Sequence, residues 1–192
     1  MLKFYYTVAS AYDAQQDNPV NSVGGYKSST PISNDLLDSV FDELSLKGMF
    51  DGQPQYKAIV IVNEGTEAIT NLQLWFSTPE NQTTYCNFTV AATQMSQDAE
   101  GNPIMERTEN MYAKPYYSTF FPATEEDKVS LGDLQPGESL GLWLCRTPNK
   151  EVIKEDYDNV AEVDPERSFR AKIYKQVEKE KEELIFVNLS WD

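Results

Sequence analysis

A chain of 192 residues, 40% hydrophobic and 12% aromatic, holds enough apolar material for one sizeable core, leaves little room for a second full-sized domain, and is too apolar for a wholly disordered protein. A formal net charge of −15 argues against direct nucleic-acid binding, because every phosphate contact requires a lysine or arginine. No apolar run reaches the roughly 18 residues of a membrane-spanning helix, and the absence of histidine removes Ser-His-Asp and Cys-His catalysis together with the usual zinc sites.

In chain order, Met1 to Asp13 is too short and too polar in its apolar run for a signal peptide, so use without secretion is expected. A short strand is predicted over Leu2 to Val8. Beyond it, Gln15-Gln16-Asp17-Asn18-Pro19 and Ser22 to Pro31 deny the chain a regular period, which predicts an extended N-terminal arm over residues 1–32. Tyrosine joins an apolar ring to a polar tip and suits surfaces half buried against another chain, so Tyr5, Tyr6, Tyr12 and Tyr26 are candidate subunit-interface residues of that arm. Gly24-Gly25-Tyr26-Lys27-Ser28-Ser29 lacks the spacing of a phosphate-binding loop and reads as a backbone hinge or close-approach site. Ser33-Asn34-Asp35 then offers caps for one short helix whose stripe is Leu36, Leu37, Val40, Phe41 and Leu44, ending near Leu46 to Gly48.

From Tyr56 the pattern turns to β. Tyr56 to Val62 is apolar on both faces, as a central strand is; Asn63-Glu64-Gly65 reads as a tight reversal or short loop. Strands follow over Ile69 to Phe76 and Tyr85 to Ala92, then a turn at Asp98 to Pro103, and weaker strand signals at Ile104 to Thr108, Tyr116 to Phe121 and Val129 to Leu131. Pro136-Gly137 has turn chemistry, and behind it Leu140, Leu142 and Leu144 alternate with Gly141, Trp143 and Cys145. The last strand runs from Leu184 to Trp191. Strands separated by turns predict a mainly β fold, an antiparallel β-sandwich of immunoglobulin-like or jelly-roll-like type, forming one domain over residues 33–192. Residues 147–183 interrupt it as a long charged insertion with eleven acids and eight bases, half of all the bases in the chain. Phe169, Ile173, Tyr174 and Val177 are spaced for a short helix or hairpin arm, and Phe169 and Tyr174 join the interface candidates.

Chemistry is sparse. With 31 acids, paired carboxylates for glycoside hydrolysis are too easily found to count, and Glu64, Glu100 and Glu138 each sit in a turn where a charge is the ordinary surface choice. The Asp98 to Asn102 cluster lacks the full calcium-loop series. Cys86 and Cys145 lie in apolar runs and read as buried free thiols, with a bridge open to them if their strands are neighbours. Trp75, Trp143 and Trp191 read as core or interface residues before a sugar-stacking platform, and the Asn81, Asn87 and Asn188 glycosylation patterns as ordinary strand and turn residues. No catalytic residue, metal site or cofactor is expected.

Phe4-Tyr5-Tyr6-Thr7-Val8-Ala9-Ser10, the Gln-rich Asn-Pro segment, Ser22 to Thr30, Leu134 to Arg146 and the closing Leu-Ser-Trp-Asp together resemble small virion structural proteins of tailed bacteriophages, in particular crAss-like phages of gut bacteria. The resemblance implies a non-enzymatic virion component, assembled in the host cytoplasm. As a subunit of a head-to-tail connector, collar or tail ring it would bind copies of itself and other virion proteins. Capsid decoration or head-fibre attachment is the alternative within the virion, and a carbohydrate-binding or host-recognition sandwich, with a glycan as partner, is the alternative of another class. Neither nucleic acid nor membrane is an expected partner.

Overall fold

The computed structural model describes residues 1–32, 40–41, 44, 46–78, 85–153 and 186–192. The fold is mainly β and every strand pair is antiparallel. The strands are β1 (Leu2–Val8), β2 (Gly25–Pro31), β3 (Gln55–Asn63), β4 (Ile69–Ser77), β5 (Cys86–Thr93), β6 (Ser96–Gln97), β7 (Pro103–Met105), β8 (Phe121–Pro122), β9 (Val129–Leu134), β10 (Ser139–Pro148) and β11 (Phe186–Ser190). Eight of them form a curled sheet in the order β6-β7-β2-β1-β3-β10-β5-β8, and three form a smaller sheet in the order β11-β4-β9.

The large sheet is built around β3 and β10, and both are apolar on two faces for a reason visible in the packing. Ile59 and Ile61 of β3 and Leu142 and Leu144 of β10 meet Leu74 and Leu134 of the small sheet in one core. The alternate residues, Ala58, Val60 and Val62 with Trp143 and Cys145, build a second core on the opposite side with Tyr5, Val23, Tyr56, Ala91 and Met105. All nine residues of β3 are buried, as its doubly apolar pattern requires. Trp143 is fully buried because its cross-strand neighbours are small: it opposes Ala58 on β3 and Ala91 on β5.

Asn63-Glu64-Gly65 is a short loop, and it leads from the large sheet to the small one, since β3 and β4 do not pair with each other. The Pro136-Gly137 turn makes the reverse crossing from β9 to β10. Asn63 ties these two corners together. Its buried side-chain amide donates to the carbonyls of Glu67 (2.8 Å) and Leu134 (3.0 Å), its backbone N–H donates to the Glu138 carbonyl (3.0 Å), and its carbonyl accepts from Gly137 N–H (2.8 Å). Satisfying every polar group of a fully buried asparagine in this way turns a liability into a fixed junction.

The expected extended arm over residues 1–32 is corrected by the topology: β1 lies inside the large sheet between β2 and β3, and β2 pairs with β1 and β7. A polar segment can enter the sheet here because its hydroxyls find internal partners. Ser22 Oγ accepts from Thr7 N–H (2.8 Å) and donates to the Ala58 carbonyl (2.6 Å), and Gln16 Nε2 donates to the Thr7 carbonyl (2.6 Å). Lys57, also buried, donates to the Val20 carbonyl at 2.5 Å. The helix predicted over Leu36 to Leu44 falls mostly outside the described residues, although Val40 is buried and Phe41 packs on the first core. A six-residue helix, α1, occupies Leu46–Asp51. Of the charged insertion, Thr147 and Pro148 extend β10, and residues 154–183 lie outside the described residues. Cys86 opposes Pro148 and Cys145 opposes Thr89, so the two buried thiols are not directly opposite and no disulfide joins them.

Tyr5 and Tyr56 give the fold an alkaline limit. The hydrogen bond to Glu64, then burial, pushes the Tyr5 hydroxyl up from 10.0 to about 12, and burial followed by the neighbouring Cys145 raises Tyr56 in the same direction. Both are acids whose folded-state pKa lies above the unfolded one, so the stability they contribute is present in full below pH 10 and is lost as pH rises toward 12. Circular dichroism across that window should show cooperative loss of structure, with a smaller pH dependence in Tyr5→Phe; an unchanged dependence would remove Tyr5 from the account.

Candidate interaction surface

Among the described residues no group of three His, Cys, Asp or Glu side chains is placed to hold a metal ion. Of the carboxylates considered above, those of Glu64, Asp98 and Glu138 are engaged in structural bonds. Glu64 takes the Lys3 ammonium at 2.7 Å and the Tyr5 hydroxyl, which hold its carboxyl below the usual range. Asp98 accepts the backbone N–H groups of Glu100 (3.0 Å) and Asn102 (2.8 Å), closing its own turn, and Glu138 accepts Gln135 N–H at 2.7 Å.

The predicted interface tyrosines are dispersed. Tyr5 and Tyr6 point to opposite sides of β1 and are consumed by the second and first cores of their own chain, which corrects their assignment to a subunit interface. Tyr12 is at the surface, and its ring and that of Tyr5 flank the Lys27 ammonium at 5.3 and 4.3 Å, with Asp13 as the ion-pair partner. Tyr26 is half-buried, and a hydrogen bond to Asp98 raises its pKa. Phe169 and Tyr174 lie outside the described residues.

The exposed aromatics are elsewhere, on the connection from β7 to β8. Tyr116 and Tyr117 are 85% and 84% exposed, and Tyr112 and the β8 residue Phe121 are also exposed. Strand signals at Tyr116 to Phe121 had suggested a longer strand, but β8 comprises two residues, because Pro115 cannot donate to a ladder and the chain before it is held in turns. Each turn has an identifiable fastening. Thr108 N–H donates to the Val23 carbonyl (3.0 Å), Asn110 Oδ1 accepts Tyr112 N–H (2.9 Å), and the Met111 carbonyl accepts Tyr56 N–H from the start of β3 (2.6 Å). Met111 and Phe120 pack on the second core, with Phe120 5.4 Å from the Tyr56 ring.

Glu106 completes the arrangement. Its two carboxylate oxygens accept the backbone N–H groups of Tyr116 (2.5 Å) and Tyr117 (3.1 Å), charge-assisted bonds that fix the tip of the connection. The two rings stand edge to face, 4.8 Å apart at 83°. Glu106 itself is positioned by Gly24, whose φ of +93° and missing side chain let the Glu106 carbonyl approach: a Cβ there would lie 1.9 Å from that oxygen. The Gly24-Gly25 pair is thus a close-approach site of the kind its sequence predicts. A chain of contacts therefore runs from β2 through Gly24 and Glu106 to two tyrosines held in solvent. Large aromatics fixed on an ordered backbone lose little entropy on binding, which makes this loop the candidate contact surface.

Comparison with protein-family models, with curated proteins and with solved structures gives no match for the chain.

Proposed function

We propose that the chain is a non-enzymatic structural subunit of a tailed-phage virion, belonging to a head-to-tail connector, collar or tail ring, with a body that is an antiparallel sandwich of immunoglobulin-like or jelly-roll-like type. The sequence resemblance supplies the virion setting. The observation that carries the binding role is the fixed, solvent-facing pair Tyr116 and Tyr117. Contact between copies in a ring is heterologous, so one side of each subunit meets a different side of the next, and an exposed aromatic loop suits that geometry.

Quantitative mass spectrometry of purified particles tests the setting: the reading expects the chain in the particle at a ring-sized copy number, and absence from the particle sinks it. A copy number that scales with the capsid would favour decoration or fibre attachment instead. The loop is tested separately. Replacing Tyr116 and Tyr117 together by Ala should leave the stability of the free chain within about 0.5 kcal/mol, as for exposed sites, and lower incorporation into particles by about tenfold or more, as for an interface hot spot. Undiminished incorporation would exclude the loop as the contact.

A further inference from the structure

The outer face of the small sheet differs chemically from the rest of this acidic chain. Along β4, Leu74 and Phe76 pack into the first core, so Gln73, Trp75 and Ser77 project outward. The register then sets Asn188 of β11 opposite Trp75, and both Ser190 of β11 and Ser130 of β9 opposite Gln73. The Asn188 amide donates to Ser77 Oγ at 2.8 Å, and the Lys128 ammonium lies 4.1 Å from the Trp75 ring centroid. Among these outward positions there is no carboxylate, although the chain has 31 acids and a net charge of −15. Asp133 and Asp192 are drawn to the end of the sheet, where they accept the backbone N–H and side-chain amide of Asn71.

We propose that this face binds a neutral oligosaccharide, through Trp75 as the plate for a sugar ring and Gln73, Asn188, Ser130 and Ser190 as the hydrogen-bonding rows on either side. Charge selects the ligand class. An anionic ligand would find one ammonium, already over an indole, and no arginine among these positions; a cationic one would find no acid. Sugar hydroxyls both donate and accept, as amides and serine hydroxyls do, and a neutral sugar brings no charge to desolvate. A protein hot spot would place the tryptophan among apolar neighbours that exclude water, whereas here the β11 residues set opposite Trp75 and Gln73 are Asn188 and Ser190. Lys128 steadies the indole from one side and adds a donor beside it. The inference does not depend on the virion reading, and it uses a different surface from the tyrosine loop.

Titration calorimetry of the full chain with neutral hexasaccharides of glucose, mannose and N-acetylglucosamine tests it. At least one should bind saturably with a Kd of about 1 mM or tighter. Trp75→Ala should weaken that binding about tenfold or more and Gln73→Ala about threefold, while Tyr116→Ala leaves it unchanged. Circular dichroism checks that each variant is folded, and Gln73→Ala carries the test should Trp75→Ala fail to fold. No saturable binding to any of the three sugars, or binding that Gln73→Ala leaves intact, overturns the proposal.

Discussion

Gly24→Ala lowers the stability of the chain by about 3 kcal/mol or more, a loss read as a shift of the urea midpoint. Two terms add. At φ +93° an alanine is strained wherever it sits, and the added Cβ would lie 1.9 Å from the Glu106 carbonyl oxygen and 2.8 Å from the Arg107 Cα. Both contacts are with backbone, so the collision cannot be relieved by a rotamer change. Gly101 is the internal control. Its φ is +84°, yet nothing lies within 4 Å of a Cβ there, so Gly101→Ala should cost only the conformational term, about 1 kcal/mol. Equal midpoints for the two variants would mean that the approach of Glu106 to β2 is not a tight one. Because Glu106 holds Tyr116 and Tyr117, Gly24→Ala should also speed hydrogen exchange at those two amides beyond what the loss of global stability explains.

Trp143→Ala is the second large effect, a destabilisation of about 4 kcal/mol, from removal of a fully buried indole between two alanines that cannot expand to fill the space. Trp143→Phe is the informative companion. The indole N–H is buried with no hydrogen-bond partner among the described residues, so replacing it by a phenyl ring removes bulk without breaking a polar contact. A cost of about 1.5 kcal/mol is expected for the smaller ring. Denaturant unfolding of both variants decides the matter. Were Phe nearly as costly as Ala, the indole nitrogen would have to be making a bond that the packing does not supply.

These variants also mark what could be read from the residues alone. The doubly apolar run Tyr56 to Val62 and the Leu-Gly-Leu-Trp-Leu alternation identify β3 and β10 because burial on two faces leaves no position for a polar exception that is not internally bonded. The glycine pair at 24 and 25 was legible as a close approach for the same reason that Gly24→Ala is costly. By contrast, β2 was hidden. Its Tyr-Lys-Ser-Ser-Thr sequence has no apolar period, and its place in the sheet depends on pairing with β1 and β7 and on Gln16, whose backbone N–H and carbonyl both bond the Thr30 hydroxyl, partners that no local window contains.

The tyrosine loop was obscured in the opposite sense. Aromatic residues from Tyr116 to Phe121 mimic a strand, and the features that argue against one, Asn110 before Tyr112 and Pro115 before Tyr116, are single residues whose weight emerges only when Glu106 is seen to bind the two amides. Early tyrosines drew attention to residues 1–32, but Tyr5 and Tyr6 are spent on the two cores that lie on opposite sides of the large sheet. Tyrosine content signals half-buried surface; whether that surface belongs to the chain or to a neighbour depends on topology.

Hydroxyl-radical footprinting of the free chain and of purified particles tests the central claim most directly, because tyrosine side chains label in proportion to their exposure. The account predicts that Tyr116 and Tyr117, among the most exposed side chains of the free protein, become protected in the particle, while buried Tyr5 and Tyr6 label weakly in both states. Equal labelling of Tyr116 and Tyr117 in the free chain and in the particle would contradict it.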